Sequence, residues 1–192
     1  GDISGTYNDG KNHGFLLSRG TFTQVDCPGD GATVLRGINS AGDIAGVFTP
    51  TGKPAQAVVW SRGVCTLSEY RPEVSRRTAT AFFGINDDGV AVGRWSTNGG
   101  SSHGLAYSKG TFSRNDHSAG GNVINWGINN AGDIAGIVND GYGVSHGFLL
   151  RNGRFTQVDF PGAIWTQIRG MNNSGQVVGA YVVSNTPFVM HG

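Results

Sequence analysis

Charge is scarce in this sequence. Only 14% of its 192 residues are Asp, Glu, Lys or Arg, and the formal net charge is +1. A nucleic-acid partner calls for a field of Lys and Arg that displaces counterions from phosphates. The longest basic cluster here is Arg76-Arg77, so no such partner is expected. The sequence also lacks any apolar run of the ~18 residues a membrane-spanning helix needs. No window carries a convincing 3.6-residue apolar stripe with caps, which predicts almost no helix. Gly-x-Ser-x-Gly elbows, Walker loops and Cys-x-x-Cys pairs are missing. Cysteine is limited to Cys27 and Cys65, enough for one disulfide at most. No metal or cofactor is expected.

What is abundant is glycine: 33 residues, far above the usual ~7%, and set at fixed places in a repeat. The stretch Gly127-Ile128-Asn129-Asn130-Ala131-Gly132-Asp133-Ile134-Ala135-Gly136 returns from Gly37, from Gly84 and from Gly170, at spacings of 47, 43 and 43 residues. Each unit reads as four short strands, a to d. Strand a ends in Gly-Ile-Asn, a tight Asn/Gly turn leads to b, a variable loop to c, a short turn to d, and a second variable loop to the next a. Four-stranded units at this period are the signature of β-propeller blades. The chain therefore reads as one all-β propeller domain over 1–192, with units at 1–26, 33–69, 80–116, 123–159 and 166–192. The first unit opens at strand b (Asp2–Tyr7) and the last stops at strand c (Thr186–His191). Five blades with 18 strands is the preferred count. Four blades, with strand a of the last unit completing the first, is the alternative.

The units Asn12-His13-Gly14-Phe15-Leu16-Leu17, Thr21-Phe22-Thr23-Gln24-Val25-Asp26-Cys27-Pro28-Gly29 and Gly127–Gly136 resemble the bacterial extracellular HAF-repeat family, named for a His-Ala-Phe tripeptide that stands here as His-Gly-Phe. The resemblance covers nearly the whole chain and implies export and a propeller-like repeat. It implies no catalytic residues. The second unit departs from it, with Ala55-Gln56-Ala57-Val58-Val59 in place of His-Gly-Phe. No signal peptide is visible, and the first residues already lie inside a unit, as in a processed or trimmed chain. Low charge and many Ser, Thr, Asn and Gly fit a secreted, extracellular or periplasmic protein.

Recurring histidines are the sharpest candidates for chemistry. Three of them, from three blades, would suit a metal. The c–d hairpin count instead pairs His13 with Asp26, His103 with Asp116 and His146 with Asp159, and Gln56 with Glu69 in the deviant unit. The spacing therefore predicts a cross-strand staple within each blade. His117 and His191 fall outside this pattern and default to surface roles. The Asn/Asp-Gly turns faintly resemble calcium loops, but they lack alternating carboxylates and a terminal Glu; capping of a tight turn explains them.

Tight turns share one face of the disc and variable loops the other, where binding is expected. That face collects Asn8, Asp9, Lys11, Thr97, Asn98, Asn139, Asp140, Tyr142, Trp165, Tyr70 and Arg71. Near it, Tyr7, Phe48, Trp95, Val138 and Tyr181 end strand b, either as a sugar-stacking ring or, the preferred alternative, as inter-blade core. Arg36, Phe83, Trp126 and Arg169 share one position on strand a. The arginines suit an anion or uronate unless Asp2, Asp43 or Asp133 neutralises them. Cys65 stands where other units have Phe at the start of strand d, and Cys27 at the opposite end of a strand d. Both are expected free and buried.

These features point to a binding propeller for carbohydrate or a similar small polar ligand, with Tyr7, Arg36, Trp95, Trp126, Arg169 and Tyr181 as contacts. The alternative is an enzyme acting on a polysaccharide or small metabolite at one asymmetric central mouth, with Arg94, Asp140, Tyr142 and His117 as catalytic candidates. A protein-interaction or structural repeat is a further alternative.

Overall fold

The architecture is seen in a computed structural model, which describes residues 1–72, 78–97, 100–117, 121–185 and 188–192. Eighteen strands form five antiparallel sheets, the blades of a β-propeller. Blade 1 holds β1 (Ile3–Asn8), β2 (Asn12–Ser18) and β3 (Thr21–Val25). Blade 2 holds β4 (Gly31–Ile38), β5 (Ile44–Pro50), β6 (Gln56–Ser61) and β7 (Val64–Ser68). Blade 3 holds β8 (Thr78–Ile85), β9 (Ala91–Thr97), β10 (Ser102–Ser108) and β11 (Thr111–Arg114). Blade 4 holds β12 (Val123–Ile128), β13 (Ile134–Asn139), β14 (Ser145–Arg151) and β15 (Arg154–Val158). Blade 5 holds β16 (Trp165–Met171), β17 (Val177–Asn185) and β18 (Phe188–His191). The expected start of the last strand, Thr186, and the loop residue Asn98 lie outside the described residues.

Turn chemistry fixes the blades. Each c–d hairpin turns on an Xaa-Gly pair with both residues at positive φ, as at Arg19 (50°) and Gly20 (81°), the geometry of a two-residue turn that matches strand twist. In each a–b hairpin the asparagine caps its own turn: Asn39 Oδ1 accepts the Ala41 and Asp43 amides at 3.1 and 2.8 Å. Asn129 and Asn172 do the same for Asp133 and Gln176. These oxygens are committed to backbone, which settles the capping explanation over a calcium loop.

The same turns tie blade to blade. Asn39 Nδ2 donates to the Asn86 carbonyl and Asn86 Nδ2 to the Asn129 carbonyl, at 3.1 and 3.2 Å. One residue on, the Ser40 amide donates to Asp87 Oδ1 (2.8 Å), the Asp87 amide to Asn130 Oδ1 (3.1 Å) and the Asn130 amide to Asn173 Oδ1 (2.9 Å). Asp87 also accepts Asn130 Nδ2 at 2.6 Å, so one carboxylate joins blades 2, 3 and 4. The Ser40 amide and hydroxyl, then Asn130, hold its carboxyl below the ordinary range against the opposing effect of burial.

Hydrophobic burial lies between blades, not within them. Leu35, Ile44, Phe48 and Val58 of blade 2 close on Val25 and Cys27 of blade 1. Phe82, Ile85 and Ala91 of blade 3 close on Ala45 and Ala57, and Val123, Ile134 and Phe148 of blade 4 on Val92 and Ala106. The small second residue of His-Gly-Phe has a steric reason here: a Cβ on Gly14 would meet the Val25 carbonyl at 2.4 Å and the Leu35 side chain at 2.6 Å. Each blade packs on the next, but among the described residues no strand of blade 5 packs extensively on blade 1. The outward faces of the end blades are accordingly open. Ile3 is 54% exposed where its counterpart Ile44 is 0%, and Val178 is 69% exposed where Ala135 is 0%.

The cysteines correct the sequence-based expectation: they are not free. Cys27 and Cys65 form a disulfide with Cα atoms 5.5 Å apart. Opposite strand ends are far apart only where the strands run as parallel rods. Sheet twist inclines the outer strands, so the segment leaving one blade crosses the start of the next blade's outer strand. The same crossing recurs at later seams, where Tyr70 meets Phe112 (5.5 Å between rings) and His117 meets Phe155 (5.0 Å). His117 is therefore a seam residue. At the last seam Phe160 stacks on Tyr181 at 3.6 Å.

Three outcomes test this account. A Cβ on Gly84 would meet the Trp126 carbonyl at 3.0 Å, whereas Gly170 faces only a Val178 methyl at 3.3 Å. Gly84→Ala should lower stability in urea by about 1–3 kcal/mol and Gly170→Ala by clearly less; equal losses would contradict the axial packing. Replacing both cysteines by Ser should cost about 2–4 kcal/mol, and the untreated protein, denatured, should show no free thiol to a thiol reagent. Because the Asp87 pKa is lowered on folding, its stabilisation is fully present above the unfolded value of ~3.9 and is lost as pH falls through the lower folded value. Melting curves of wild type and Asp87→Asn should thus converge in acid and separate above about pH 4; a constant gap would refute the linkage.

Candidate functional site

The hairpin register places each histidine on its carboxylate, as the spacing predicts. His13 Nδ1 lies 2.6 Å from Asp26, His103 Nδ1 3.0 Å from Asp116 and His146 Nδ1 2.8 Å from Asp159. The carboxylates also accept the Gly14 and Gly147 amides, both at 3.2 Å. Burial works to raise the Asp26 carboxyl, but His13, Gln24 and the Gly14 amide outweigh it and hold the carboxyl below its ordinary range. An ionised carboxylate only accepts, so each imidazole donates through Nδ1; His13 also turns Nε2 toward Asp9 at 3.2 Å. Glu69 does not complete the fourth pair. Its hydrogen bond is to Arg71, at 2.8 Å. Among the described residues no group of three or more His, Cys, Asp or Glu is placed to hold a metal ion.

A further histidine belongs to this set. His191 pairs with Tyr181 across β17 and β18, as His13 pairs with Tyr7 and His103 with Trp95. Its ring stacks on Tyr181 at 5.1 Å, as His13 stacks on Tyr7 at 5.3 Å and His103 on Trp95 at 4.4 Å. The expectation that it lies outside the pattern fails for its position, because the variable b–c loop hid the alignment, while the expected surface role holds, His191 being exposed. The signal was present: His191-Gly192 repeats His13-Gly14.

Tyr7, Trp95 and Tyr181 therefore sit in separate blades, each against its own histidine, and do not converge. Trp95 is only 5% exposed, held between His103, the Arg114 guanidinium at 5.5 Å and Tyr70 at 5.2 Å. With Phe48 and Val138 it is inter-blade core. The catalytic candidates are also dispersed. Asp140 shapes its own loop by accepting the Tyr142 and Val144 amides, both at 2.8 Å. The Val144 amide does most to hold its carboxyl low, against burial. Tyr142 is 94% exposed, and His117 is at the blade 3–4 seam. Of these candidates, Arg94 lines a cavity.

That cavity is a groove of about 880 Å³ on the variable-loop face, bounded by blades 1, 2 and 3. Its walls present Asn8, Asn12, Thr49, Thr51, Thr97 and Ser102, with Lys11, Lys53 and Arg94 as cations and Asp30 as the one carboxylate among the lining residues. Arg94 Nη1 donates to Ser102 Oγ at 2.7 Å. Asn8 and Asn12 bond each other at 2.9 Å. Asn8, Lys11 and Thr97 were expected on this face and Arg94 at the central mouth, whereas Asn12, Asp30, Thr49, Thr51, Lys53 and Ser102 were not, because they occupy or border loops whose lengths differ between units.

The groove continues inward. Ala79 and Arg94 line both it and a second cavity of about 370 Å³ along the axis, walled by Val34, Ala81, Ile124, Arg36, Phe83 and Trp126. Two of the sequence-predicted contacts, Arg36 and Trp126, line this second cavity, and a third, Arg169, packs on Trp126 beside it. Phe83 and Trp126 stack at 4.5 Å, Arg36 Cζ lies 5.8 and 5.7 Å from their two ring centres, and Arg169 Cζ lies 4.3 Å from that of Trp126. Partial burial, then the charge of Arg36, pull the Arg169 guanidinium below its ordinary value.

No family model matches the chain, nor does any curated protein sequence. Among solved structures it is similar to the lectin of Aleuria aurantia, determined in complex with Fucα1-6GlcNAc, at 10% sequence identity and a TM-score of 0.46. The match covers 82% of this chain and 56% of that one, so the chain spans little more than half the lectin's length.

Proposed function

We propose that the protein is an exported binding propeller of the HAF-repeat type, and that it holds a carbohydrate in the variable-loop groove. The observation that carries this is the groove's wall. Its Asn, Thr and Ser side chains each offer donors and acceptors, the complement of a polyhydroxylated ligand. The cavity is also large enough for a small oligosaccharide. A groove formed by three unlike loops favours one asymmetric site over several equivalent ones. Hydrolysis by paired carboxylates gains no support, since Asp30 has no acidic partner among the lining residues. Export is favoured by the Cys27–Cys65 bond, which suits an oxidising compartment. No helix among the described residues is long and apolar enough to cross a membrane.

A glycan array followed by calorimetry on the best neutral oligosaccharide tests the proposal. Asn12→Ala and Lys53→Ala should each weaken binding by roughly tenfold, about 1.4 kcal/mol, with unchanged melting temperature. Absence of any glycan binding, or affinity indifferent to both substitutions, would overturn it.

A further inference from the structure

The axial cluster occupies a distinct structural position. Arg36, Phe83, Trp126 and Arg169 are each the residue skipped by the register of the a–b pairing, between Leu35 and Gly37, Phe82 and Gly84, Asn125 and Gly127, and Ile168 and Gly170. Each is thus the extra residue of a β-bulge, a device that re-aims a side chain and recurs next to functional sites. The bulge appears in four blades at one level, so the four side chains gather around the axis.

The charges gathered there are not neutralised by the chain. Asp43 takes Asn39 and Ser61, and Asp133 takes Arg151 and Asn129. The Arg169 guanidinium donates to Gln167 Oε1 at 2.6 Å. Among the described residues neither Arg36 nor Arg169 has a carboxylate partner. Both arginines are exposed, and Arg36 lies near enough to act on Arg169 as a like charge, a repulsion that an anion joining the two would relieve. Aromatic faces hold the guanidinium planes and leave their edges able to donate. The buried indole N–H of Trp126 also lacks an acceptor.

We propose that the axial channel binds a small organic carboxylate, its oxygens accepting hydrogen bonds from Arg36 and Arg169 and its carbon skeleton lying along Phe83, Trp126 and the apolar wall of Val34, Ala81 and Ile124. The two guanidinium forks supply the charge-assisted bonds that favour carboxylate over a neutral hydroxyl compound. The cavity accepts one ring. The carboxylate can belong to a uronate sugar or to a simple acid, and the site, which opens on the neutral-sugar groove at Ala79 and Arg94, binds through arginines that do not line that groove.

The test is calorimetry and thermal melting of the wild-type protein with sodium glucuronate, sodium cyclohexanecarboxylate and glucose, at constant ionic strength. At least one of the two carboxylates should bind saturably and raise the melting temperature, while glucose should not bind the channel. If glucuronate alone binds, the source is a sugar acid; if cyclohexanecarboxylate binds as well, the carboxylate itself suffices. Arg36→Gln and Arg169→Gln should each weaken the acid roughly tenfold or more without lowering the melting temperature of the free protein, because each removes one of two neighbouring like charges. Lys53→Ala should leave acid binding unchanged. The proposal is overturned if neither acid binds, if binding survives in the double Arg variant, if glucose binding is weakened by the same two Arg substitutions as much as acid binding, or if Lys53→Ala abolishes the effect.

Discussion

Everything in this propeller depends on how closely successive innermost strands approach at the axis. At Gly37 the next blade's backbone stands 2.9–3.0 Å from where a Cβ would be, and at Gly84 and Gly127 the spacing is scarcely wider. Glycine is required there for want of room. Its neighbours in sequence inherit their roles from that approach. The residue before it is bulged toward the axis. The asparagine two residues after it is close enough to the next blade to donate to that blade's carbonyl. One tight contact thereby produces both an axial ring of side chains and a hydrogen-bonded ladder on the short-turn face.

The division between what was legible in the sequence and what was not follows the same geometry. Relations within a blade are set by turn length and strand register, and counting recovers them. The four-strand units, the five blades and the pairing of His13, His103 and His146 with Asp26, Asp116 and Asp159 were all readable. Relations between blades depend on twist and inclination, which strand counting ignores. The Cys27–Cys65 bond and the seam position of His117 were missed for that reason. His191 was missed because a loop of different length displaced it from the ruler. Arg36, Phe83, Trp126 and Arg169 were recognisable as equivalent, but nothing in the residues announced that a bulge would turn all four inward.

Repetition and function are separated in space. Where the units agree, their polar groups satisfy one another: asparagine on backbone, histidine on carboxylate, aspartate on the neighbouring turn. Where they disagree, polar groups are left to face solvent, as the Asn, Thr and Lys side chains of the groove do. The bulge ring stands between these regimes, since its position repeats while its residues differ, two adjacent aromatics flanked by two cations.

The Cys27–Cys65 bond gives this array a direction. Propeller blades form a chain of nearest neighbours, whose stability resembles a sum of unit and interface contributions. Blades 1 and 2 are held at their seam by a covalent bond, blades 2 to 4 by ring contacts, and blade 5 by a stacked Phe160–Tyr181 pair beneath a largely open face. Parting two blades is dearest at the seam of blades 1 and 2, where the covalent bond persists after the packing is lost. The riveted blades 1 and 2, which carry much of the groove wall, would be the last pair to separate.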